Sequence, residues 1–197
     1  MPAEADGAAS ATRRDLDSAV EVAAACLATL GDSVRRDAPL GSMTTYRVGG
    51  PAALFVHITA RAQLAVVAEA ARASGLPVLV VGRGSNLLVA DAGFRGLAVG
   101  LSGLDTTLDI DADDATVVVS SGVALPVVAR RTAAAGLRGF EWAVGVPGSI
   151  GGAVRMNAGG HGSDMAASLT EVVVFDLHDG TERTLEAAEL GLGFRSS

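Results

Sequence analysis

Two clusters of glycine constrain this 197-residue chain more than anything else in it. The first is Gly82-Arg83-Gly84-Ser85-Asn86, set between the apolar runs Val78–Val81 and Leu87–Val89. The second runs from Gly145 to Gly162 and includes Pro147, Ser149 and Asn157 among its glycines. A short, apolar, β-branched run reads as a buried strand, so Val78–Val81 is expected to be one, with Leu87–Val89 extended after it. Glycines at a strand end allow positive φ or close approach of a bound group to the backbone. Successive peptide N–H groups in such a turn can converge on one anion, and Arg83, Ser85 and Asn86 add further donors. Together the clusters predict two loops held against one extended, phosphate-bearing ligand.

Composition narrows the ligand further. The 25 glycines follow no period, which argues for binding turns and against fibrous structure. A net charge of -7 speaks against nucleic acid or an anionic membrane as the main partner. An anion must then be held by local donors. All 15 basic residues are arginine, which excludes a P-loop lysine and a Schiff-base lysine. Cys26 is the lone cysteine, so neither an internal disulfide nor a cysteine metal cluster can form. With no run of 18 apolar residues and no basic-then-apolar start, a soluble, cytoplasmic protein is expected.

Along the chain, Met1 to about Arg13 is expected to be disordered. Leu16–Leu30 has helical apolar spacing, with Gly31 as its stop. Leu54–Ile58 reads as a strand, and His57 within it as a structural histidine. Ala60–Ser74 is an amphipathic helix with Gly75 as its cap. With Val78–Val81 it completes a strand–helix–strand unit. Leu97–Leu101 and Thr116–Ser120 are further strands, and Val127–Ala135 a second helix closed by Gly136. The acidic stretch Asp105–Asp114 reads as a solvated hairpin edge, because EF-hand spacing is missing. Strands at Glu171–Leu177 and Thr181–Leu185 and a short helix at Ala187–Leu190 complete the prediction.

Several chemistries fall away. Gly82-x-Gly84-x-x-Leu87 lacks the third glycine of the Rossmann fingerprint, and no helix is expected to follow it. No Gly-x-Ser-x-Gly elbow is present for a serine nucleophile. Arg155 and Arg195 stand out as cations in glycine-bounded, mostly uncharged surroundings, suited to bidentate recognition of carboxylate or phosphate.

The segments Thr45–Ala52, Gly82–Leu88, Gly145–Ala153, Asn157-Ala158-Gly159 and Phe194–Ser197 occur in the order, and with the spacing, of a known family. From about Asp37 to the last residue the chain resembles the UDP-N-acetylenolpyruvoylglucosamine reductases. The resemblance implies an α+β, vanillyl-alcohol-oxidase (PCMH-type) FAD-binding fold of two α/β lobes. It divides the chain into an N-terminal extension (1–37) and an FAD-binding domain (38–197), with lobes at about 38–120 and 121–197. It implies noncovalent FAD with its pyrophosphate on the two glycine-rich loops. The cofactor-binding residues it implies are Tyr46, Arg47, Gly82, Arg83, Gly84, Ser85, Asn86 and Leu87 in the first half. In the second half they are Gly145, Val146, Pro147, Gly148, Ser149, Ile150, Gly152, Ala153, Val154 and Asn157.

The resemblance further implies NADPH as hydride donor and a UDP-sugar enolpyruvyl ether as substrate, in peptidoglycan biosynthesis. Arg195 falls on the family's catalytic arginine, which steadies developing negative charge. The family's usual tyrosine before it is Phe194 here, so any hydrogen bond from that hydroxyl is lost. The family continues into a substrate-binding region that supplies a serine acid and a glutamate, and this chain stops at Ser197. The expectation is a chain that binds FAD and turns over poorly or not at all. Two other readings stand beside it: an FAD-linked oxidase of the same fold, and a non-catalytic FAD-binding module. The first glycine loop has no histidine for covalent flavin attachment.

Overall fold

The computed structural model describes residues 3–197, with side chains from Asp15 onward. Its first lobe is built on a four-stranded sheet of β1 (Val34–Ala38), β2 (Ala52–His57), β3 (Val78–Val81) and β4 (Phe94–Gly100). The spatial order is β1-β2-β4-β3, with β1 antiparallel to β2 and both β2 and β3 parallel to β4. The expected strand–helix–strand unit is therefore real, but β4 lies between its two strands.

Strand alternation explains the two faces. Leu54 and Val56 pair with Leu97 and Val99, and all four are fully buried or nearly so under helices α1 (Ala3–Cys26) and α2 (Gln63–Ser74). Phe55, Ala98 and Val81 point to the opposite face. There they pack against Leu40 and Met43, from the segment between β1 and β2, and against Leu87 and Val89, from the loop after β3. Gly75 caps α2 in the left-handed conformation at φ +66°.

The N-terminal region departs from expectation in two ways. The stretch expected to be disordered is helical from Ala3, while Met1 and Pro2 lie outside the described residues. Alanines at 3, 5, 8, 9 and 11 give this segment high helix propensity. The segment is also integral to the lobe: of the expected stripe Leu16, Val20, Val22, Ala23, Leu27 and Leu30, all but the exposed Val22 join the core with α2. Gly31 at φ +52° sits inside a 3-10 segment, Leu27–Ser33, that leads into β1.

Arg36 of β1 grips Glu21 of α1 through two hydrogen bonds of 2.6 and 2.8 Å, and that bond holds the Glu21 carboxyl below its ordinary value of 4.5. A lowered carboxyl contributes stability above the ordinary value and loses it as pH falls through the folded one. The pair is exposed, so its contribution is small. Any gap between the thermal midpoints of wild type and Glu21→Gln is expected to be constant above about pH 4.5 and to fade as the pH falls below it; thermal scans from pH 7 to pH 3 check it.

Leu87–Val89, expected as a strand, joins no sheet. Leu87 and Val89 pack inward while Leu88 is largely exposed, and Ala90 O accepts from Gly50 N at 2.9 Å. The apolar residues anchor a loop that lies along Gly49-Gly50-Pro51.

The second lobe gathers around Leu125, Val128, Trp142, Ile150, Ala153 and Met165. Its parts include the hairpin of β5 (Leu108–Asp111) and β6 (Thr116–Val119), α3 (Leu125–Ala134) and α4 (Ile150–Arg155). Leu108, Val117 and Val119 of the hairpin pack on this second core. The acidic residues of the hairpin lie on its exposed edge, as expected. Two further pairs follow: β7 (Gly159–Gly160) with β8 (Ser163–Asp164), and β9 (Glu171–Phe175) with β10 (Glu182–Glu186). Leu177, at the β9–β10 turn, packs on the first core, and Glu182 pairs with Arg61. No helix among the described residues is long and apolar enough to cross a membrane.

Candidate functional site

The first glycine loop emerges from β3 beside the C-terminal ends of the parallel strands. Among the described residues, the backbone N–H groups of Gly82, Arg83, Gly84, Ser85 and Asn86 donate no hydrogen bond within the protein. Five consecutive free donors in a partly buried turn form a nest for an anion. Gly84 makes the turn possible. Its φ is +64°, and a Cβ there would collide with the carbonyl oxygen of Met43 and lie 2.9 Å from Thr44 Cα.

The Thr44–Arg47 turn holds the loop from below. Thr45 N donates to Gly84 O at 3.1 Å. Buried Thr44 donates from Oγ1 to Gly41 O at 2.9 Å and accepts from Arg47 N at 3.2 Å. Tyr46 and Arg47, both exposed, project from this turn, Arg47 at φ +54°.

The second loop meets the first. A Cβ on Gly82 would lie 2.6 Å from Ser149 Oγ, and a Cβ on Gly148 would lie 3.0 Å from Ser85 Oγ. Ser85 Oγ also reaches Pro147 O at 3.5 Å, at the limit of hydrogen-bond length. Ser85 and Ser149, 64 positions apart, thus lie in one site. Ser149 is buried and caps α4, accepting from Gly152 N at 3.4 Å. Its loop is fixed to the second lobe by Leu125 N→Gly148 O at 3.0 Å and Ile150 N→Val123 O at 2.9 Å.

Other expected residues do different work. Ile150 and Ala153 are buried in the second core, with Val146 and Val154 packed against it. Asn157, at φ +38°, accepts from Ala166 N at 2.9 Å and donates to Asp164 Oδ2 at 3.2 Å, fastening the loop after α4. Arg195 makes no bond to either glycine loop among the described residues. It is exposed at φ +56°, its guanidinium 5.6 Å from the Phe194 ring centroid. Its segment is fastened instead to the end of α4: Arg155 Nη1 donates to Ser197 O at 3.3 Å, and Ser197 Oγ donates to Arg155 O at 3.2 Å.

A cavity of about 410 Å³ opens beside Gly82 and Arg83, and sequence reading alone missed it. Arg35, Phe55, His57 and Ser102 line it. His57 Nε2 and Ser102 Oγ are 3.1 Å apart, so the histidine is satisfied structurally, as expected, yet it also faces open space. The available signal was Arg35, a cation placed opposite Phe55 in the β1–β2 register. No carboxylate lines the cavity.

Taken together, the site is a bare backbone cradle with room for an extended ligand, donors for a diphosphate and a basic cavity at one end. The FAD binding domain family model matches residues 52–186, more than half of the chain. The chain belongs to this FAD-binding domain family.

Among its relatives, a UDP-N-acetylenolpyruvoylglucosamine reductase from Synechococcus sp. is 39% identical over 84% of this chain and 54% of that protein. A crystal structure of UDP-N-acetylenolpyruvylglucosamine reductase from Thermus caldophilus superposes with a TM-score of 0.69 and 37% identity. That match covers 83% of this chain and 56% of the other. A Physcomitrella patens BBE-like 1 variant matches at a TM-score of 0.58 and 22% identity, over 84% of this chain and 38% of that one, and shows the fold alone. The chain spans about half the length of the curated relatives it matches. The resemblance seen in the motifs is borne out, and so is the α+β fold of the PCMH type.

Proposed function

We propose that this chain is the FAD-binding portion of an FAD-dependent reductase acting on UDP-N-acetylenolpyruvoylglucosamine, in peptidoglycan biosynthesis in the cytoplasm. The observation that carries it is the meeting of Gly82 with Ser149 and of Ser85 with Gly148 beside five free backbone donors. The fit with FAD is good on those terms: Gly82, Gly84 and Gly148 let the loops and the Thr44 turn close on one another, and a diphosphate would satisfy donors that no protein group uses. Gly82, Arg83, Gly84, Ser85 and Asn86 would hold the diphosphate, with Pro147, Gly148 and Ser149 closing over it. Tyr46 and Arg47 stand at the rim.

Bound FAD would relay a hydride from NADPH to the enolpyruvyl ether. The chain's own contribution is binding, orientation and charge. Arg195 is the cation available for negative charge developing on the substrate. Arg155 fixes the segment that carries it. Phe194 offers an apolar face and no hydroxyl.

Titrating FAD into flavin-free protein tests the reading. Quenching of flavin fluorescence and a shifted visible band are expected at one FAD per chain, with Kd of about 1 μM or tighter. Acid should release the flavin intact, as for noncovalent binding. Free-flavin spectra at every ratio would refute the proposal. NADPH oxidation, with and without the UDP-sugar, separates a working reductase from a binding module.

A further inference from the structure

The β9–β10 hairpin starts on one core and ends on the other. At its root, Leu169 packs on the second core, and Thr170 O accepts from Ala187 N at 2.8 Å. At its turn, Leu177 packs on the first core. In between, β9 and β10 bond to each other from Glu171↔Glu186 to Phe175↔Glu182. Among the described residues, no apolar side chain of either strand packs on a core. Five paired residues at about 3.4 Å each make an arm of about 17 Å.

The turn presents Leu177 rigidly. Asp176 N donates to Thr181 O at 2.8 Å, Gly180 N to Asp176 O at 2.9 Å and His178 N to Asp176 Oδ1 at 2.7 Å. Arg183 of β10 donates to Asp176 Oδ2 at 2.6 Å. The hold on the first core then rests on the leucine, whose burial is favourable. The Arg61–Glu182 pair beside it is exposed and adds little.

The chain also crosses between the cores directly, from Leu104 on the first to Leu108 on the second. A single crossover is a hinge, and swinging about it would part the glycine loops. Those loops meet at close range: Ser85 Oγ lies 3.5 Å from Pro147 O, and a Cβ on Gly82 would lie 2.6 Å from Ser149 Oγ. A second tie, made far from the crossover in sequence, fixes the angle between the cores.

Building on the reading of this chain as an FAD-binding portion, we propose that the β9–β10 hairpin is a strap holding the two glycine loops at the distance a diphosphate needs, with Leu177 as its catch and a positioning residue for the cofactor. The link is reciprocal: the factor that docking of the strap adds to FAD affinity, FAD adds to docking.

Calorimetry on the full chain with FAD and inorganic pyrophosphate reads the strap's effect. Leu177→Ala should weaken both about tenfold, because fewer molecules hold the loops closed. Leu177→Met, which keeps the volume, should bind both as wild type does. Leu177→Val should lose about threefold, and serves if the alanine variant unfolds. A variant that merely loosened packing would melt earlier and bind unchanged. Unchanged FAD affinity in folded Leu177→Ala would therefore overturn the proposal. So would weakening of FAD with pyrophosphate unchanged, since the hairpin would then touch the ligand itself. A third readout needs no ligand. Gly82→Ala should shift the denaturation midpoint less in the Leu177→Ala background than in wild type, because freed loops escape the collision with Ser149. Equal shifts overturn the strap even if FAD binds. If wild type binds no FAD while the shifts are unequal, the FAD reading fails and the strap stands.

Discussion

Gly84→Val is expected to lower stability by about 3–5 kcal/mol, combining the strain of a branched residue at positive φ with overpacking against fixed backbone. For a chain of this size that is a fall in thermal midpoint on the order of 10 °C. Two causes act at this position and can be separated. The φ of +64° penalises any side chain but is mild for asparagine. The collision with Met43 O and Thr44 Cα penalises every Cβ equally. Gly84→Asn should therefore lose nearly as much as Gly84→Ala if close approach dominates, and far less if φ does. Close approach should win, because Met43 and Thr44 cannot retreat. Thr44 is buried with its hydroxyl bonded to Gly41 O, and Thr45 N is bonded to Gly84 O itself. Variants that remain folded should lose FAD uptake, since the nest is distorted at its centre. Denaturant titration giving a loss below about 1 kcal/mol for Gly84→Val would show that this packing is absent in solution.

The same site shows what sequence can and cannot reveal. The α2 stripe and the Gly75 cap were legible because local pattern and tertiary role agree there; Val78–Val81 is a strand as expected, but it is the edge of the sheet and only Val81 is buried. Leu87–Val89 misled, because an apolar run predicts burial but not hydrogen-bond partners. Its inward residues anchor a loop whose backbone pairs with Gly50 instead of a strand. The N-terminal helix ran longer than expected because high alanine content outweighs the acids and glycine read as signs of disorder. The basic cavity was invisible for a different reason. Arg35, His57, Arg83 and Ser102 lie on separate segments, and only the order β1-β2-β4-β3 brings those segments together. Ile150 and Ala153 stand in a glycine-rich motif, yet their side chains serve the core, so motif membership alone did not tell backbone contribution from side-chain contribution.

Convergence of the two glycine loops makes a second, sharper prediction, because it couples residues far apart in sequence. Gly82→Ala should destabilise the protein by about 1–2 kcal/mol by driving its methyl against Ser149 Oγ. Ser149→Ala should lose about 1 kcal/mol with the α4 cap. In the double variant the collision disappears, since the nearest remaining atom, Ser149 Cβ, lies at an ordinary 3.8 Å. The double variant should then be about as stable as Ser149→Ala alone, a coupling of about 1–2 kcal/mol between the lobes. Strict additivity in the denaturation midpoints would mean that the loops stand apart. A diphosphate could not then bridge them, whatever motifs the sequence carries. Coupling that strengthens when FAD is added would tie the contact to the ligand, because a group bound to both loops holds Gly82 and Ser149 at the distance where the added methyl is felt most.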